Sequence, residues 1–502
     1  MFKTFGVYVG ISFILFCLGS AAGQSGRNTF EPPTIRHISI EGNTRTREAI
    51  IRRELLFSEG DPLDSMQVVE SARNLRRFFF LGQVDIQVQK EDRFADVVVS
   101  VLDLYARALS PTLSGKRGEL SYGLVGMDFN FSGRGQVVQL TFDHDAITGN
   151  RVAALYHVPR LAGTRRTLTT NVGVGAEGEG HDIRLTVSQP FFSLATPWSY
   201  GVSFFSQEEV VRLYSNQIIS ARYADRVDGG AAWITRSFGD QIKVRPGIRL
   251  DLSDRRFATQ QGFTYAPNSR RRVLPSVGLT IWKPHFERVR YIQYLGRLED
   301  LPLGSFVSTR VGFSHQDLGS DRNFGFFSLH LAPRFKPYAN GYTFISLFLS
   351  GRRQAGGYRN LFGQAEFVTY AQVRRLHTLA FRIRWDAIGR TEDTSQLLLG
   401  VVRGLRGYVP RRFDGTRRFL LNVEARPTFY RHPAFALGGA FFMDSGTVWT
   451  PGVNNPGLNT SIGLGSRLGF TRVYNNPILR ADLAYAVQDR TWQLWVGLGQ
   501  YF

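Results

Sequence analysis

The chain has 502 residues, 43% of them hydrophobic and 13% aromatic, with 52 glycines and a formal charge of +20. Its one cysteine, Cys17, has no partner for a disulfide and no thiol neighbours for a metal site. No internal run approaches the ~18 apolar residues of a membrane helix, so any membrane crossing has to be made by strands.

Residues 1–23 read as a secretory signal. Lys3 supplies the positive start, residues 5–18 the apolar stretch, and Ser20, Ala21, Ala22 and Gly23 the small residues that a signal peptidase needs. Cys17 lies inside this segment behind the bulky Phe16, so neither lipidation nor thiol chemistry is expected of the mature chain. Export argues against nucleic acid as the partner of the positive charge. The arginines are spread along the chain, apart from clusters such as Arg270-Arg271-Arg272. Two readings fit them: a hydrated lumen wall, or contacts with acidic lipid headgroups or an acidic client. Residues 24–33 are polar, end in Pro32-Pro33 and read as a linker.

A compact α/β pattern spans residues 34–104. Ile35, Ile38 and Ile40 start a strand that ends at the turn signal Glu41-Gly42-Asn43. Thr44 or Thr46 is placed to cap a helix carrying Ala49, Ile50 and Leu55, and Asp64 or Ser65 a second helix with Val68, Val69, Ala72 and Leu75 on one face. Val84, Ile86 and Val88, then Val97, Val99 and Val101, alternate as two strands. The order is β-α-α-β-β. With Gly42-Asn43, Gly60-Asp61-Pro62-Leu63 and Phe79-Phe80-Leu81-Gly82, it resembles the POTRA domain, in one copy. The strand at 84–89 is expected at a sheet edge, where it would bind an extended client or serve as a spacer or docking point.

From residue 108 to 502 the pattern becomes short alternating segments between Gly, Asp, Asn, Pro and Arg, as at 136–142, 167–172, 200–205, 306–312, 379–385 and 479–485. At ~24 residues per strand and connection, this stretch predicts a transmembrane β-barrel of about sixteen antiparallel strands. The end of the chain alternates too. Trp492, Leu494, Val496, Leu498 and Phe502 fall on one face, and Gln493, Trp495, Gly497, Gly499 and Tyr501 on the other. A barrel closes its last strand on its first and leaves no edge in lipid. Residues 491–502 are expected to form that seam with a first strand at 119–126. Gly497 and Gly499 either weaken the seam or relieve crowding in it.

Two further motifs stand in the barrel region. Leu405-Arg406-Gly407-Tyr408 lies in a glycine- and arginine-rich stretch, and some forty residues on comes Phe442, Asp444, Gly446 and Val448 in the pattern Phe-x-Asp-x-Gly-x-Val. With the POTRA-like domain and the terminal strand, they resemble the outer-membrane protein assembly and translocation superfamily, the bacterial surface antigens, which includes Bam-type insertases and two-partner secretion transporters. The stretch from Asp128 through Asn130 and Gly133 to Gly135, and that from Gln189 through Pro190 to Pro197-Trp198, are similar to the family as well.

The resemblance implies a lumen loop, folded in from the outer side, whose Arg406 pairs with Asp444. Glu424 is a candidate second acceptor. Gly407 would let the backbone turn beside Arg406, with Tyr408 next to it. Phe442, Gly446 and Val448 belong to the motif strand. The expected location is the bacterial outer membrane, with the POTRA-like domain in the periplasm.

The expected function is insertion or translocation of polypeptides, by client strand pairing at the seam and a lumen loop held by the Arg-Asp lock. The alternatives are a passive channel, a structural barrel, or an exporter of a single partner. Outer-membrane lipid and lipopolysaccharide, unfolded client polypeptides and periplasmic accessory proteins are the expected partners. No catalytic residue, metal or cofactor is expected. Gly173-Val-Gly175-Ala-Glu-Gly178 fits a nucleotide fingerprint by spacing, but no helix follows it.

Overall fold

The computed structural model describes residues 31–116, 119–175, 178–215, 217–296, 298–374, 376–391, 395–453, 457–470 and 478–502. The expected signal at 1–23 and most of the linker lie outside them.

The N-terminal domain runs β1 (Thr34–Glu41), α1 (Glu48–Arg52), α2 (Ser65–Arg76), β2 (Leu81–Glu91) and β3 (Phe94–Asp103). The sheet order is β1-β3-β2, so β2 is an edge strand; β1 pairs with β3 in parallel and β2 with β3 antiparallel. Ile35, Ile38, Leu75, Val97 and Val99 are buried at its centre. Asp64 caps α2 by accepting the Met66 N–H at 2.8 Å. Thr46 does not cap α1. It donates to Asp103 Oδ1 at 2.5 Å and so ties the start of that helix to the end of β3. On α2 the buried face is narrower than expected. Val68 and Leu75 pack inward, whereas Val69 is 62% exposed, because positions seven apart share a helix face more closely than adjacent ones.

The rest of the chain closes into one antiparallel barrel. It has twenty strands among the described residues, not about sixteen. Two of them, Phe324–Ala332 with Arg334–Phe335 and Arg417–Arg426 with Thr428–Arg431, are each interrupted once and continue along the same neighbour. The expectation was low because many connections are tight turns, such as 146–148 and 355–356, so a strand with its connection takes about 20 residues. The outer surface is apolar. On Lys243–Thr259, Ile248, Leu250 and Leu252 point outward and are exposed, while Arg249 bonds to Asp251 on the inner face. A continuous exposed apolar belt of this kind faces lipid.

The seam differs from its expected position. The first barrel strand is Arg107–Lys116, which pairs with Thr491–Leu498, while Glu119–Phe131 is the second strand. The first strand is masked in the sequence because Ser110, Pro111 and Thr112 break its apolar alternation. Proline lacks a ladder donor and is tolerated where pairing is sparse.

Two connections fold back into the lumen. At the mouth beside the N-terminal domain, 283–305 forms a hairpin of Phe286–Val289 with Glu299–Pro302. At the far mouth, 390–416 forms another of Leu397–Leu399 with Phe413–Gly415. The N-terminal domain is docked on the near mouth. Arg76 reaches Asp300 with two bonds of 2.7 and 2.8 Å, the buried Glu54 pairs with Arg160, and Glu70 accepts the Leu194 N–H at 2.7 Å.

Candidate functional site

The site is built where the far-mouth loop meets the inner faces of Arg417–Arg426, Phe435–Trp449, Asn459–Phe470 and Ile478–Ala486. Inner positions recur every second residue, so Asn422, Glu424 and Arg426 share a face, as do Phe442 and Asp444. Register places Asn422 opposite Asp444 and Glu424 opposite Phe442.

Arg406 is fully buried. Its Nε and Nη2 lie 2.7 and 2.9 Å from the two oxygens of Asp444, in the two-pronged geometry that suits a guanidinium. Its backbone N–H also donates to Asp444 Oδ2 at 3.2 Å. Nη1 donates to Glu424 Oε2 at 2.9 Å and lies 3.5 Å from Asp482 Oδ2. The guanidinium is stacked between the rings of Phe442 and Tyr501, 3.4 and 4.0 Å from their centroids. Asn422 donates to both Asp444 Oδ1 and the Gly404 carbonyl, at 2.7 Å each.

The charges continue beyond the expected pair. Glu424 Oε1 accepts from Arg426 Nε at 3.1 Å and from Arg467 Nη2 at 3.3 Å, and Arg467 Nη1 donates to Asp482 Oδ1 at 2.6 Å. Glu424, Asp444, Asp482 and Arg467 are all buried. A buried ion is tolerated only when its partners replace its lost water, and in this network each carboxylate touches at least one guanidinium.

Gly407 has φ +85°, and a β-carbon there would lie 3.1 Å from both Ala486 N and Ser461 Cβ, so glycine is required twice over. Tyr408 is buried and donates to the Thr460 carbonyl at 3.0 Å. Gly446 admits the Leu399 side chain, and Val448 is buried with Leu399, Leu405 and Leu420 in an apolar cluster under the loop. The loop also spans the lumen: Gln396 accepts the Tyr214 N–H on the opposite wall at 2.8 Å.

The terminal residues divide. Trp492 and Leu494 face outward, 63% and 54% exposed, Val496 makes the register pair with Leu113, and Gly497 is buried beside Trp495 and Arg480. The strand ends at Leu498. Gly499, at φ +77°, turns the chain off the wall, and Phe502 is not a strand residue. Tyr501 reaches Arg406, and its hydroxyl donates to the Val401 carbonyl at 2.7 Å. Phe502 packs on the near-mouth cluster of Ile292, Leu301 and Tyr370.

Arg426, Arg467, Asp482, Asn422 and Tyr501 were absent from the expected site. Arg467 and Asp482 carried a usable signal, since a charge inside an otherwise apolar or glycine-rich strand points to the lumen. The other two family-like stretches lie at the domain junction. Asn130 donates to Thr46 Oγ1 at 2.9 Å, and the 190–197 connection holds Leu194 against Glu70.

Residues 33–102 match the POTRA family model, described as the surface antigen variable number repeat. Over 467 residues the chain is 24% identical to the outer membrane protein assembly factor BamA of Neorickettsia risticii (strain Illinois), covering 91% of this chain and 53% of the relative. It therefore spans about half that relative's length. Among solved structures, BamA from Haemophilus ducreyi lacking POTRA domains 1–3 aligns at 14% identity and a TM-score of 0.42, covering 93% of this chain and 85% of that one. CdiB from Escherichia coli aligns at 12% identity and 0.47, covering 94% and 77%. Residues 33–102 thus belong to the POTRA family, and along nine-tenths of its length the chain is similar to an outer-membrane assembly factor, which sets its barrel in the outer membrane and its POTRA domain in the periplasm.

Proposed function

We propose that this barrel assists the insertion or translocation of polypeptides at the outer membrane, with client strands pairing at the seam and the 390–416 loop held in the lumen by Arg406. The observation that carries this reading is the seam. Among the described residues, Thr491–Leu498 and Arg107–Lys116 share one register pair, Val496 with Leu113, whereas the last two strands share eight. Unpaired backbone at a strand edge is a template for an incoming strand, and each client hydrogen bond would replace one the barrel lacks.

The Arg406 network supports a loop that keeps one position while the seam changes partners. A guanidinium bound by two carboxylates and stacked on two rings resists release more than a surface ion pair does. The assembly-factor relative supports the same class of activity. The edge strand β2 offers a client or an accessory protein a periplasmic foothold. Work would come from strand pairing and client folding, with no catalytic residue and no nucleotide.

The test is reconstitution of the purified protein in liposomes beside an unfolded client barrel. Faster client folding than in empty liposomes is expected. Ion conductance with no acceleration of client folding overturns the proposal in favour of a passive channel. Depletion followed by an outer-membrane proteome then separates a general insertase, which loses many proteins, from an exporter of one partner.

A further inference from the structure

The junction between the POTRA domain and the near mouth holds a cavity of about 300 Å³. Phe78 and Phe80 line it from the domain, and Phe129, Phe191 and Phe192 from the barrel. Phe78 packs on Phe80 with ring centroids 5.2 Å apart, and the Arg165 guanidinium lies 4.7 Å over Phe192. Asn74, in the last turn of α2, lines the same space and is only 4% exposed. Its Oδ1 and its Nδ2 are both buried with no hydrogen-bond partner among the described residues. Arg160 lines the cavity too, and its Nε is in the same state although its Nη2 pairs with Glu54. A buried polar atom without a partner is costly and rare in a folded protein, so a whole carboxamide left unpaired at the wall of a cavity marks a place where a ligand bonds.

We infer that this cavity binds one extended residue of an unfolded client polypeptide, with the apolar side chain among the Phe rings and the main chain on Asn74. This rests on the client role proposed above. A carboxamide offers an acceptor and donors together, so its match must donate and accept at once. A carboxylate, a phosphate or an ester oxygen only accepts, and an ammonium only donates. In an extended chain the N–H and C=O of one residue point the same way, as in a ladder pair, so one carboxamide meets both. The ring-lined walls then take the apolar side chain that such a residue carries beside its peptide group. The space far exceeds the ~10–15 Å³ that one water needs, and water gives the rings nothing to pack against. A folded accessory protein has its main chain already paired. An unfolded client does not, and the strands of a client barrel carry an apolar residue at every second position. The site differs from the β2 edge, because it reads one residue rather than a length of strand.

The test uses the full chain in uncharged detergent, titrated calorimetrically with the capped pentapeptide Ser-Thr-Phe-Thr-Ser. Saturable binding near one equivalent is expected. It should weaken at least tenfold in Asn74→Leu, which keeps the bulk of the side chain and removes its amide, and stay unchanged in Met66→Gln, exposed on the same helix. The parent protein should show the same loss when the nitrogen of the peptide's phenylalanine is methylated, or when that phenylalanine is replaced by alanine. Neither of these measurements depends on a variant that folds. Equal binding by the parent and Asn74→Leu, equal binding of the methylated and unmethylated peptides, or no binding at all overturns the inference. The client role fails separately, in the liposome assay above. A parent that accelerates client folding while the peptide ignores Asn74 keeps that role and loses this site.

Discussion

The two segments that fold back into the lumen are held by different balances of forces. The far-mouth loop, 390–416, is fastened by buried ions around Arg406. The near-mouth hairpin, 283–305, has an apolar centre of Ile292, Leu301 and Leu303, a bond from Thr378 Oγ1 to the Tyr291 carbonyl at 2.6 Å, and ion pairs toward its periphery, Asp300 with Arg76 and Glu287 with Lys336. Apolar packing is non-directional and tolerates small shifts. A two-pronged ion pair has one geometry and loses most of its value when that geometry is lost. The far loop is therefore built to occupy one defined position, whereas the near hairpin is built to fill space under the docked POTRA domain. Arg426 joins them. It bonds Glu424 of the ion network, the Phe502 carbonyl at 2.8 Å and, more weakly, the Ile292 carbonyl at 3.4 Å.

Breaking the ionic side should have the largest effect. As a prediction, Arg406→Ala leaves Asp444 buried with no cationic partner among the described residues and only Asn422 to bond it, while Glu424 keeps Arg426 and Arg467, a local cost of ~3–5 kcal/mol. Client assembly in a depletion strain should fall steeply while the amount of folded barrel falls less. A variant that folds and supports assembly like the parent would refute the role of the lock. On the apolar side, Leu301→Ala opens a cavity worth ~2–5 kcal/mol in the near hairpin. Ion conductance of the reconstituted barrel should rise, with the far loop still protected from protease added outside; simultaneous exposure of both segments would mean that the two are not independent.

Smaller changes sharpen the contrast. Gly407→Ala combines a strained φ with close contacts on the neighbouring strands, at ~1–3 kcal/mol, and is expected to loosen the loop while all of its ion partners remain. Hydrogen exchange of the loop amides reads this out, and no increase would show that the backbone there is not constraining. Tyr501→Phe removes only the bond to the Val401 carbonyl and should cost ~0.5–1.5 kcal/mol, a shift in the denaturation midpoint with little loss of client assembly. A large functional defect from this change would place the terminal residues inside the mechanism.

Much of this molecule was legible because strand and helix periods are local. The alternation at 136–142 or 479–485 marks a strand in any context, and the POTRA domain carries turn signals at Gly42 and Gly60 that require no tertiary knowledge. The spacing of Arg406 and Asp444 was readable as a motif, as was the acidic Glu424 in an apolar strand. Less was legible where a residue's role depends on what faces it across the lumen. Arg467 and Asp482 lie in two barrel strands and Arg406 in the far-mouth loop, and they join one network only because the wall curves.

The sequence by itself determined the class of the molecule, a small α/β domain followed by a strand-built membrane crossing, because burial patterns of period two and 3.6 are written residue by residue. The tertiary structure decided what closure alone can decide. It set the number of strands, since that depends on how tight each turn is, and made Arg107–Lys116 the partner of the last strand. Gly499 turns Tyr501 and Phe502 into the lumen. The charges scattered over four strands and one loop became a single buried network, because the desolvation of each ion can be offset only by partners that the folded wall brings together.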